Sequence, residues 1–146
     1  GPLQTGRIEN GTETLLLVDD EEMVRITTAD LLKQLGYTVY LAQNGSEALQ
    51  MIEAMQDEID LVLLDIIMPG MTGEETFREL KKINSNLRVL FCSGYSANQQ
   101  VSTMINEHGS NFIQKPFDLQ TLSVKVREVL QSEPASKKEN EFISQP

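Results

Sequence analysis

The sequence predicts an α/β fold, with a parallel β-sheet covered on both faces by helices. Three observations predict it. Five short apolar runs, most of them bounded by Gly, Asp, Asn or Pro, have the length of strands. The stretches between them carry apolar residues at helical spacing, so strand and helix alternate and right-handed crossovers make neighbouring strands parallel. Several of the runs are almost continuously apolar, as strands buried on both faces are. At 146 residues the chain suits one domain with a core of its own.

The elements follow in order. Leu15-Leu16-Leu17-Val18 is the first strand, and the pair Asp19-Asp20 closes it. Val24, Thr28, Leu31 and Leu35 then recur along one helical face, with Gly36 as a C-terminal stop. Thr38 to Leu41 is the second strand. Asn44 and Glu47 have the spacing of a capping box ahead of the stripe Ala48, Leu49, Ile52 and Met55, which marks a second helix. Leu61 to Leu64 is the third strand and runs into Asp65. Thr72 and Glu75 repeat the capping-box spacing ahead of Phe77, Leu80 and Ile83. Leu87 to Cys92 is the fourth strand, followed by Ser93-Gly94 and a helix expected from Ala97 to Glu107, stopped by His108-Gly109. Asn111 to Ile113 is the fifth strand, and Asp118 caps a last helix with the stripe Leu119, Leu122, Val126 and Val129. Residues 1–12 read as a protease-cleavage scar and linker, 13–130 as the domain, and 131–146 as a flexible tail, because both ends are polar and aperiodic.

Composition narrows the function. The formal charge is −10 with no dense Lys/Arg run, so direct nucleic-acid binding by this domain is not expected. No apolar run approaches the roughly 20 residues of a membrane helix, so no membrane insertion of this domain is expected. The single cysteine, Cys92, lies inside an apolar run and reads as core filler in a reducing, cytoplasmic setting. Asn10-Gly11-Thr12 and Asn44-Gly45-Ser46 match a glycosylation pattern but read as turns. His108, alone beside a glycine at a helix end, reads as a partner of the helix dipole rather than a phosphorylated group.

The chemistry lies at the strand ends. In an open parallel sheet, residues just past adjacent strands converge on one crevice. Asp19, Asp20 and Asp65 all sit there, and three like charges in one crevice call for a cation. Mg2+, a hard ion that takes oxygen ligands, fits such a set. Alone, Asp20 reads as a helix cap and Asp19 as merely solvated. Lys115, between apolar residues and just before Pro116, reads equally as a surface lysine or as the cation of this crevice. Ser93 offers a hydroxyl after the fourth strand, with small Gly94 beside it, although turn serines are common.

Taken together and in order, Leu-Leu-Val-Asp19-Asp20-Glu, Leu-Leu-Asp65-Ile-Ile-Met-Pro69-Gly-Met-Thr-Gly73, Cys-Ser93-Gly94-Tyr and Lys115-Pro116-Phe117 resemble the receiver domain of two-component response regulators, over about Glu13 to Leu130. The resemblance implies a doubly wound, flavodoxin-like sheet of five parallel strands in the order 2-1-3-4-5 with five helices. It implies that Asp65 accepts a phosphoryl group from the phosphohistidine of a sensor histidine kinase or phosphotransfer domain. It assigns Mg2+ to the Asp20 and Asp65 side chains, the backbone carbonyl of Ile67 and, through water, Asp19. Lys115 would neutralise a phosphoryl oxygen and its bond to Pro116 would be cis, Ser93 would bind another oxygen, and Phe112 holds the switch-aromatic position. Such a domain catalyses its own phosphorylation and dephosphorylation but is chiefly a signalling switch. Ile67 and Tyr95 stand where the family tunes the attack of water, and neither offers a good water-activating group, so slow self-dephosphorylation is expected. The downstream protein and pairing with a second copy stay open.

Other readings are weaker. A phosphorylation-independent interaction module would be expected to have lost an acid or the lysine, and none is lost. A phosphatase of the haloacid dehalogenase type needs a second Asp where Ile67 stands, and a flavodoxin-like cofactor carrier would need a phosphate-cradling glycine loop. The Phe-Cys-Ser-Gly-Tyr-Ser stretch and the linker-like start resemble receivers fused to hybrid histidine kinases.

Overall fold

The structure, a computed structural model, describes residues 7–94 and 99–133. Five strands, β1 (Thr14–Val18), β2 (Thr38–Ala42), β3 (Leu61–Asp65), β4 (Arg88–Ser93) and β5 (Phe112–Gln114), alternate with five helices. These are α1 (Glu22–Gln34), α2 (Gly45–Ala54), α3 (Gly73–Ile83), α4 (Gln99–His108) and α5 (Leu119–Leu130). The sheet is parallel throughout, in the expected order β2-β1-β3-β4-β5. The order reverses between β1 and β3, so the crevice past their carboxyl ends is the natural site of chemistry.

Strand alternation splits the core into two layers. Leu16 and Val18 of β1 pack with Val62, Leu64, Ile52, Leu80 and Met104 on one face, while Leu15 and Leu17 pack with Leu32, Leu63, Leu122 and Val126 on the other. Helices α2, α3 and α4 therefore cover one face and α1 and α5 the other. Each fully buried Leu or Ile in these layers contributes about 1.5–3 kcal/mol.

Most of the predicted punctuation is present. Gly36 closes α1 at φ 104°, a conformation that a side chain would strain. Thr72 and Glu75 form a reciprocal capping box on α3, and Asp118 caps α5 through the Thr121 N–H at 2.7 Å. Asn44 does cap α2, accepting from the Glu47 N–H at 2.8 Å. Its box is incomplete, because the Glu47 carboxylate accepts from the Gln43 N–H instead. Asp20 is not the cap of α1: Glu21 holds that position and caps nothing with its side chain. The fifth strand begins one residue later than expected, because a 3-10 turn (Gly109–Asn111) takes up Asn111. Of the expected Ala97–Glu107 helix, residues 97 and 98 lie outside the described residues, and α4 runs on through His108.

Residues 9–12, expected as linker, are tied to the domain together with Glu13. The Gly11 N–H donates to the Leu35 carbonyl at 3.0 Å, and the Glu9 N–H donates to Ser123 Oγ at 3.2 Å. Glu13 accepts two hydrogen bonds from Arg127, at 2.9 and 2.6 Å, and Arg127 also donates to the Tyr37 hydroxyl. The segment is held largely by backbone groups and one ion pair, which leave no apolar period in the sequence. Beyond residue 133 the expected tail lies outside the described residues.

Candidate functional site: an acidic pocket with one lysine

The pocket is assembled from the ends of four strands. β1 and β3 are adjacent and in register from Leu15–Leu61 to Val18–Leu64, so Asp19 and Asp65 leave the sheet side by side. Both are buried, at 1% and 4% exposure, whereas Asp20 is exposed. A carboxylate oxygen from each of the three lies within 4.8 Å of the others. Lys115, just past β5, reaches across the end of β4 and bridges two of the acids. Its Nζ stands 2.6 Å from Asp19 Oδ2 and 3.2 Å from Asp65 Oδ2. The Lys115 N–H donates to the Ser93 carbonyl at 2.9 Å, which ties the start of this loop to β4, and the Lys115–Pro116 bond is cis.

Local contacts set the orientation of each acid. Asp19 Oδ1 accepts from the Glu21 N–H at 2.9 Å, and Asp65 Oδ1 accepts from the Ile67 N–H at 3.3 Å. Ile67 itself is 40% exposed in the connection between β3 and α3. Ser93 ends β4 and is buried, at the same rim of the sheet as Asp65. Phe112 opens β5 opposite Phe91 and packs, half-buried, against the layer under α2, α3 and α4. Tyr95 lies outside the described residues. Cys92 pairs with Asp65 in register and is buried in the core, as expected, with its thiol pKa pushed well up by burial. His108 does end α4, and its ring also packs 4.9 Å from both Phe77 and Phe91.

The electrostatics of the pocket are unbalanced. Burial pushes the Asp65 pKa up to about 6 against the pull of Lys115, and the Asp19 charge adds to the rise. Burial opposes the charge on Lys115, but the negative groups around it outweigh burial and raise its pKa. One ammonium faces three carboxylates, and the donor set is all hard oxygen. The residues therefore fit a small divalent cation, which would offset the excess negative charge.

Two contributors escaped the sequence reading. Arg25, on the first turn of α1, folds back so that its Nη1 donates to the Asp19 backbone carbonyl at 2.7 Å. Gly73 lets the start of α3 lie against the end of β3, since a Cβ there would stand 2.5 Å from the Asp65 carbonyl oxygen and 2.6 Å from Ile66 Cα. Gly73 was visible within its motif but carried no assigned role. Arg25 left no signal, because its target is a backbone atom.

The fold and pocket define a doubly wound α/β domain with an acidic, cation-binding type of pocket at its switch point, and comparison with known proteins names the family. The chain belongs to the response regulator receiver domain family, whose sequence model matches residues 15–127. In that family, phosphoryl transfer to an aspartate is the general function, and Mg2+ binds at an acidic pocket. The chain is similar to the sensor kinase CckA of Brucella abortus (strain 2308), 36% identical over 124 residues. That match covers 85% of this chain but only 13% of the kinase. The crystal structure of the receiver domain of the hybrid histidine kinase CckA aligns with a TM-score of 0.67 and 36% identity, over 81% of this chain and 99% of that one. A CheX–CheY–BeF3–Mg complex from Borrelia burgdorferi aligns with a TM-score of 0.73 and 26% identity, over 82% of this chain and 90% of that one. Among the described residues, no helix is long and apolar enough to cross a membrane.

Proposed function

We propose that the domain accepts a phosphoryl group on Asp65 from a phosphohistidine of a sensor histidine kinase or phosphotransfer domain, and that the modified pocket alters its surface. The observation that carries this reading is a buried carboxylate bridged by one lysine to a second acid, with a third acid alongside. In the transfer, an Asp65 oxygen attacks phosphorus, the phosphorus–nitrogen bond breaks, and the imidazole leaves with the electron pair. No general base is required, because the nucleophile carries its charge before it attacks. Mg2+ held by Asp20, Asp65 and the Ile67 carbonyl, with Asp19 through water, would neutralise charge on the transferring group. Lys115 would leave its carboxylate partners in part to meet a phosphoryl oxygen, and Ser93 would donate to another.

Relaying the change is the role proposed for Ser93 and Phe112. Ser93 drawn toward the phosphoryl group would free space for the Phe112 ring, shifting α4, β5 and α5 between two packings. A groove of about 280 Å³ beside the pocket, lined by Met23, Val24, Thr27, Leu31, Lys115 and Pro116, supports a partner that delivers its phosphoryl group from the α1 side. The likeness to CckA supports attachment within a hybrid histidine kinase working in the cytoplasm.

Incubation with acetyl phosphate tests the reading through intact mass. One phosphoryl adduct that needs both Mg2+ and Asp65, and is absent from Asp65→Asn, is expected. No adduct in a folded protein, with phosphoramidate also tried, would leave the phosphorylation-independent interaction module as the better reading. The adduct should also decay slowly, since Ile67 offers no group to activate water. A lifetime as short as that of fast-decaying receivers contradicts this part.

A further inference from the structure

We propose that Arg25 is a positioning residue of the acidic pocket, which by holding the Asp19 backbone carbonyl sets where the Asp19 and Asp20 carboxylates stand and so strengthens divalent-cation binding. The inference rests on the reading of the pocket as a Mg2+ site.

Among the described residues, four hydrogen bonds hold Asp19, and each fixes a different part of it. Its N–H donates to the Ala42 carbonyl at 3.2 Å, which ties it to the end of β2. Its Oδ1 accepts from the Glu21 N–H at 2.9 Å and its Oδ2 from Lys115 at 2.6 Å. The fourth contact, from Arg25 Nη1 to the carbonyl oxygen at 2.7 Å, acts on the peptide plane that joins Asp19 to Asp20. A peptide unit is planar, so fixing its carbonyl fixes the direction in which Asp20 leaves. Asp20 is exposed, and neighbours crowd it less than they crowd Asp19.

The start of α1 explains why such a clamp is useful. The Glu21 side chain does not cap the helix, so the turn between β1 and α1 lacks the usual side-chain lock at that position. Arg25 itself begins the helical ladder, with its N–H donating to the Glu21 carbonyl at 2.9 Å. Its guanidinium then returns one turn to the strand end. A charged, planar donor makes a stronger and better oriented bond to a carbonyl than a neutral one.

The sign of the effect separates this role from simple electrostatics. A positive charge beside three carboxylates by itself disfavours a second cation, so its loss should tighten Mg2+ binding. A positioning role predicts the opposite, because groups that orient metal ligands typically change affinity 10–100-fold when removed. The test is calorimetric titration of the 146-residue chain with Mg2+ alone, at constant ionic strength, for wild type, Arg25→Ala, Arg25→Lys and Arg25→Gln. Arg78→Ala, on the exposed face of α3, serves as the charge-matched control.

Arg25→Ala should bind Mg2+ about tenfold or more weakly. Arg25→Lys should recover most of the loss, Arg25→Gln less, and Arg78→Ala should match wild type. Saturating Mg2+ should restore the rate of adduct formation with acetyl phosphate in Arg25→Ala, which a general loss of structure would not allow. Equal or tighter Mg2+ binding by Arg25→Ala overturns the proposal. If that variant does not fold, wild-type affinity in both Arg25→Lys and Arg25→Gln overturns it instead. Wild-type protein that binds no Mg2+ would overturn the reading of the pocket itself, and this inference with it.

Discussion

Asp65 is held in a setting that disfavours its charge, and this has a measurable consequence for stability. Its folded pKa of about 6 lies above the ordinary value of 3.8, chiefly because of burial. Between those two values the folded state holds a proton that the unfolded chain has already released, so stability falls as pH rises from about 4 to 6. The full shift corresponds to about 3 kcal/mol. Asp65→Asn keeps the shape of the side chain and removes the charge. Urea denaturation in the presence of a chelator should show that this variant is more stable than wild type at pH 7 and equal to it near pH 4. Identical pH profiles for the two proteins would contradict a buried Asp65 charge that Lys115 offsets only in part.

The contact between α3 and β3 positions the acid through a glycine. A Cβ on residue 73 would press on the Asp65 carbonyl and on Ile66 Cα, which are backbone atoms that cannot rotate away. Gly73→Ala should therefore push α3 off the strand end and cost about 1–3 kcal/mol in urea denaturation. It should also weaken Mg2+ binding, because Asp65 sits at the displaced edge. Unchanged stability and affinity would show that the helix can move without disturbing the site. Most elements were legible in the sequence because their signals are local: apolar runs for strands, stripes for helices, and Thr72 or Asp118 for caps. The pocket acids were legible for a related reason, since Asp19, Asp20, Asp65 and Lys115 directly follow or closely trail the strands that present them. Arg25 and the Glu47 half-box were not, because each depends on where a side chain folds back in space. The Asn111 boundary was missed because a single 3-10 turn has no period to read.

At the scale of the molecule, the pocket lies at one end of the sheet and an ion-pair clasp lies at the other. Arg127 of α5 holds Glu13 and Tyr37, and so joins the segment before β1, the start of β2 and the last helix. The hydrogen bonds from Arg127 hold the Glu13 pKa down at about 2, below the ordinary 4.5. A depressed carboxylate stabilises the fold above pH 4.5 and loses that contribution as pH falls toward 2, the reverse of Asp65. Because the clasp is partly exposed to solvent, about 1–2 kcal/mol is at stake. Glu13→Gln should flatten the acid limb of the stability profile between pH 4.5 and 2 and leave the limb between pH 4 and 6 in place. Loss of both limbs together would mean that the two ends of the sheet are not independent.

The central claim is that Asp65, rather than its acidic neighbours, carries the phosphoryl group. Borohydride reduction of the acetyl phosphate-treated protein, followed by peptide mapping, tests it directly, because an aspartyl phosphate is reduced to homoserine. Homoserine at position 65 alone, and only when Mg2+ was present, is the predicted result. Homoserine at position 19 or 20, or at 65 without any need for Mg2+, would contradict it.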